Sequence, residues 1–247
     1  MGRTVEDAAF LLSVQAGHDP GSPLSLEGSG DAFAQPLDGV PFGRRIGWLG
    51  DLGGYLATEP GVIATCERGL RGLEAIGCSV ERAALPFAPE FAWETWITLR
   101  SWQVAGSLAE PYRDPARRPL IKPEVAWEVE RGLAITGEAA LAAIGCRSEV
   151  FRALLELFDR FDALALPAAQ VFPFPAEVHW PAEVGGRAMD TYHRWMEVTI
   201  YASLGGLPTV AVPAGRGPDG RPAGLQLMGR PRDDLAVLGL GHAYLHG

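Results

Sequence analysis

The side chains able to do chemistry in this sequence are few and scattered. The five histidines are His18, His179, His193, His242 and His246, the three cysteines are Cys66, Cys78 and Cys146, and Lys122 is the one lysine. Only His242 and His246 share a useful spacing: four residues apart in HAYLH, they fall on one face of a helix, where metal binding is an option. The segment lacks the glutamate of HExxH, lies at a helix end and has no third ligand in view, so the pair reads as exposed side chains and no metal centre is assigned. An odd number of cysteines without CxxC spacing argues against a disulfide framework or a thiolate zinc cage and fits buried thiols.

Acyl transfer needs a nucleophile, a base within hydrogen-bond reach and donors for the oxyanion, and no single segment offers all three. Ser29 in EGSGD has no partner serine and lacks the strand-to-helix setting of a nucleophile elbow. Lys122 lies in RPLIKPEV between Pro119 and Pro123, with nothing to mark it as a desolvated base beside a serine. The 31 glycines form neither GxGxxG nor GxxxxGK[ST], so they serve turns and caps, and no cofactor is expected.

Composition narrows the classes further. A 247-residue chain with 47% hydrophobic residues can bury a core, and its net charge of −9 argues against a nucleic-acid partner. Arg113, Arg117, Arg118 and Lys122, interrupted by four prolines, read as a solvated loop face. No apolar run reaches the roughly 20 residues a membrane span needs, and no basic-then-hydrophobic leader opens the chain, so a cytoplasmic location without membrane contact is expected.

The elements that must position any site follow from periodicity. Thr4 to Asp7 fits a capping box before the apolar run Ala8 to Val14. Asp19 to Pro41 reads as an irregular, mobile connection. A strand at Arg45 to Leu49, a helix over Pro60 to Ile76 and a strand from Ser79 to Leu85 form a right-handed parallel crossover, which implies an α/β fold. The middle is helical: Phe91, Trp93, Trp96, Leu99 and Trp102 mark one helix, Val125 to Ile135 a second, and Val150, Phe151, Leu154, Leu155, Phe158 and Phe161 a third. These aromatics read first as core. Ala163 to Leu166 is a short buried strand, MDTYHRWMEVTIYASL a helix ended by Gly205 and Gly206, and Pro208 to Val212 with Pro222 to Met228 an antiparallel pair before a last helix from Asp233.

RTVEDAA at Arg3 to Ala9, GGLPTVAVPAG at Gly205 to Gly215 and PAGLQLMGRPRDD at Pro222 to Asp234 stand in that order at opposite ends of the chain, with YHRWMEV at Tyr192 to Val198 between them. Together they resemble the amidase signature family. The resemblance implies one α/β domain on a mixed sheet flanked by helices, here spanning residues 1–247 with a helical insert at about 89–161. It also implies carboxamide cleavage by a serine nucleophile, a second serine in a cis peptide and a lysine that relays protons. In the family those three residues precede the RTVEDAA helix, so no catalytic residue is assigned in this chain. What it retains corresponds to the C-terminal part, expected to be inactive alone; a catalytically dead binding module on the same fold is the alternative.

The resemblance further implies that Tyr192, Trp195, Met196 and Thr199, with Trp93 and Trp96 as weaker candidates, face the acyl portion of a small-molecule amide. Relatives that recognise an amino-acid side chain carry an acidic residue near Met196, and this departure points to a bulky apolar substrate rather than a tRNA amidotransferase role. Strand edges and helix faces that the N-terminal half covers in the family favour self-association, so a homo-oligomer is expected.

Overall fold

The computed structural model describes residues 1–37 and 43–247. Helix α1 (Val5–Gln15) starts at the expected capping box: Thr4 Oγ1 accepts from the Asp7 N–H at 3.1 Å, and the Asp7 carboxylate accepts from the Thr4 N–H at 3.3 Å. The connection expected to be irregular contains a 3-10 turn at Gly30–Ala34, capped by Ser29, and a bridge between Gly17 and Ser29. Its part from 38 to 41 lies outside the described residues.

Strand β1 (Arg45–Trp48), helix α2 (Val62–Ala75) and strand β2 (Ser79–Arg82) make the parallel crossover, with Arg45 opposite Ser79 and Trp48 opposite Arg82. Helices α3 (Pro89–Arg113), α4 (Pro123–Leu133) and α5 (Gly137–Arg160) follow, then strand β3 (Ala163–Pro167), which pairs parallel to β1. Glu183–Val184 (β4) and Arg187–Ala188 (β5) form a small hairpin the periodicity does not reveal, turned by Gly185 and Gly186, both at positive φ.

Met189 to Leu204, expected as one helix, is helical only from Arg194 onward: a 3-10 stretch at Arg194–Thr199 leads into α6 (Ile200–Gly205). Met196 at φ −116°, ψ 15° interrupts the regular pattern, because Arg194, Glu197 and the Val198 backbone are drawn into polar contacts described below. Gly206 at φ 56° ends α6 as expected. Strand β6 (Thr209–Arg216) runs past the expected Val212, its register shifting between Pro213 and Gly215, and pairs antiparallel with β7 (Pro222–Met228). Helix α7 (Asp234–His246) closes the chain.

Among the described residues, five of the seven strands form one sheet in the order β2-β1-β3-β7-β6, mixed because β7 runs antiparallel to β3. Its alternation builds two cores. Leu164 and Leu166 of β3 pack with Trp93, Phe158 and Tyr201 on the side of α3, α5 and α6, while Ala163 and Ala165 face Cys66, Leu70 and Leu73 of α2. Cys66 and Cys78 are buried free thiols, and burial pushes the Cys66 thiol up to about 12. Among the described residues no helix is long and apolar enough to cross a membrane.

Candidate substrate-binding cleft

The cleft begins where the chain leaves the central strand. Past Pro167, buried Gln170 turns back: its Nε2 donates to the Ala57 carbonyl at 2.7 Å and its Oε1 accepts from the Val198 N–H at 3.0 Å. From β7, Gln226 Nε2 donates to the Pro167 carbonyl at 2.9 Å and to the Val198 carbonyl at 3.0 Å. Backbone groups freed by the break at Met196 thus find side-chain partners instead of water. The following loop is held by Glu59, which accepts from the Phe172 N–H at 2.9 Å and from Arg221 at 2.6 Å.

Beside this frame lies a charged recess. The Arg194 guanidinium forks onto Asp190 at 3.1 and 3.2 Å, reaches Glu197 Oε2 at 3.0 Å and lies 3.8 Å over the Trp93 ring. Tyr55 donates to Glu90 at 2.5 Å. Burial raises the Glu197 carboxyl despite Arg194, whereas Arg194 holds Asp190 below its ordinary range. With Tyr55, Glu90 and Arg187 these residues line a cavity of about 230 Å3.

A second arrangement joins the helices to the cleft. His193 Nε2 lies 3.1 Å from Glu128 Oε1, to which Arg100 Nε also donates at 2.7 Å. The imidazole is ringed by Tyr192 at 5.1 Å and Trp96 at 5.3 Å. On the other side of Tyr192, Trp195 stands edge-on to Phe174 at 5.4 Å and, with Val171, Phe172, Pro173 and Pro222, lines an apolar cavity of about 380 Å3.

Of the residues expected to contact substrate, Tyr192, Trp195 and Trp96 therefore meet in one aromatic neighbourhood. Met196 lines none of these cavities, and exposed Thr199 uses its hydroxyl on the Met196 carbonyl at 2.9 Å. Ser29 is spent as a helix cap, its Oγ accepting from the Asp31 N–H at 3.1 Å, and Lys122 is exposed at the start of α4. The sequence reading missed Gln170, Arg194, Glu197 and Gln226; the available signal was polar side chains embedded in otherwise apolar runs, as in PAAQVF and GLQLM.

A family profile described as Amidase matches residues 1–238. This chain belongs to the amidase signature family. Within the amidase fold the three motifs become α1, the turn from α6 into β6, and β7 with the start of α7. An acylamidase of Rhodococcus erythropolis is 29% identical over 96% of this chain and 49% of its own length. A component of the glutamyl-tRNA(Gln) amidotransferase of Symbiobacterium thermophilum is 30% identical over 99% of this chain and 53% of its own. The fold is similar to that of a bacterial aryl acylamidase of the family, with a TM-score of 0.84 at 24% identity over 99% of this chain and 51% of that one. The chain spans about half the length of the curated relatives it matches.

Proposed function

We propose that this chain forms the substrate-binding part of a carboxamide hydrolase, with the family's serine nucleophile, cis-serine and lysine supplied by sequence outside these 247 residues. In that reading residues 89–161 are a helical insert of one α/β domain. The serine attacks the amide carbonyl, the lysine and second serine move the proton to the departing amine, and water then cleaves the acyl-enzyme. The chain itself binds and orients the acyl group and keeps water from it.

The apolar cavity at Trp195, walled by Phe172 and Phe174 with few polar groups, carries the substrate assignment: a bulky apolar or aryl acyl group. Tyr192 stands edge-on to Trp195 at 6.3 Å and Trp96 edge-on to His193 at 5.3 Å, Trp93 lies beneath Arg194, and Met196 and Thr199 belong to the same 3-10 stretch as Trp195.

The test compares this chain alone with the same chain co-expressed with an amidase N-terminal half bearing the serines and lysine. Hydrolysis of an aryl amide by the pair and not by the chain alone, with KM raised about tenfold by Trp195→Ala, supports the reading. A folded pair that binds an apolar amide without turning it over favours a binding module. Turnover by the chain alone, lost on mutating one of its own residues, overturns the division of labour.

A further inference from the structure

The last helix carries His242 and His246 at i and i+4, and the fold brings a third ligand to them from the other end of the chain. Val5 and Ala9 of α1 pack against Leu238 of α7, and the absence of a side chain at Gly241 lets Val5 come close, within 3.5 Å of where a Cβ would stand. Glu6, next to Val5, therefore points along α7. Its Oε1 lies 2.7 Å from His242 Nδ1 and 3.0 Å from His246 Nε2, and the donor atoms of all three residues fall within 4.8 Å of one another.

We propose that Glu6, His242 and His246 form a binding site for a divalent transition-metal ion of the zinc class, clasping the first helix to the last. Two imidazoles and one carboxylate are a borderline donor set that suits Zn2+, Co2+ or Ni2+ and not Mg2+ or Ca2+, which take oxygen-rich shells. Tetrahedral coordination sets donor atoms about 3.3 Å apart, so the separations of Glu6 from His242 and His246, 2.7 and 3.0 Å, widen by about 0.6 and 0.3 Å to admit the ion. His246 is exposed, which leaves an entry path and a position for water. This assignment is independent of the hydrolase reading, because it uses no cleft residue.

The test uses tag-free, chelator-stripped 247-residue protein titrated with Zn2+ by calorimetry and with Co2+ by visible absorption. One equivalent of Zn2+ with Kd below about 100 µM, a tetrahedral Co2+ spectrum, and a Tm raised by about 5 °C at a hundredfold excess of metal over Kd are expected. His246→Ala and Glu6→Gln, both at partly or fully exposed positions, should each weaken Zn2+ binding at least tenfold while leaving the circular dichroism spectrum unchanged. A Kd above about 100 µM, or unchanged affinity in either variant, overturns the site. If a variant loses its native spectrum, the sign of the Zn2+-induced Tm shift in the parent protein decides: a rise supports the clasp, and no rise overturns it.

Discussion

Gln170 and Gln226 hold the same residue from opposite sides, one accepting the Val198 N–H and the other donating to the Val198 carbonyl, both at 3.0 Å. This pair ties β3, β7 and the cleft segment together at the point where the helix is broken. Gln170→Leu or Gln226→Leu leaves buried backbone groups without partners, and each should cost about 2 kcal/mol in urea unfolding. The double variant should lose less than the sum, because both act on Val198. Additive losses would show the two contacts to be independent.

Glu128 provides the pH dependence. Burial raises its carboxyl, but the hydrogen bonds from His193 and Arg100 outweigh burial, and the net shift is downward. A folded value below the unfolded one gives stability that is fully present above the unfolded glutamate value, about 4.3, and lost as pH falls through the folded value. Glu128→Gln should cost about 3 kcal/mol at pH 7, with the deficit shrinking on acidification below that value. Denaturant midpoints measured from pH 7 to pH 2 test this; a deficit constant with pH contradicts it.

Arg194 is the cation that makes burial of Glu197 tolerable. Arg194→Met should destabilise by about 3 kcal/mol through the uncompensated carboxylate, and Arg194→Lys by less, since the charge remains while the fork onto Asp190 and the stacking on Trp93 are lost. Equal losses in the two variants, by thermal unfolding, would place the effect in packing alone.

Helices α3 and α4 touch through Gly132. A Cβ there would collide with the Ser101 carbonyl and stand 2.6 Å from Ala105 Cβ, so Gly132→Ala should cost about 3 kcal/mol or more. Gly145 in α5 faces open space, and Gly145→Ala should stabilise by about 0.5 kcal/mol through helix propensity and unfolded-state entropy. Opposite signs in the same calorimetric assay are the expected result.

By itself the sequence determined the periodic and strongly punctuated parts of this protein: the capping box at Thr4, the β1-α2-β2 crossover, the three long helices, the β6 and β7 pair, and through its terminal motifs the family. These are local signals, set by side-chain spacing and turn chemistry within a few residues. The tertiary structure alone decided the cleft. The helical pattern of Met189 to Leu204 does not hold before Arg194, and at Val198 the backbone N–H and carbonyl take side-chain partners, Gln170 and Gln226, from positions distant in sequence. Arg194 with Tyr55 and Glu90, His193 with Glu128, and Glu6 with the histidine pair are likewise contacts across tens to hundreds of residues. Periodicity reports which face of an element is buried and carries no record of which side chains from other elements will meet it there.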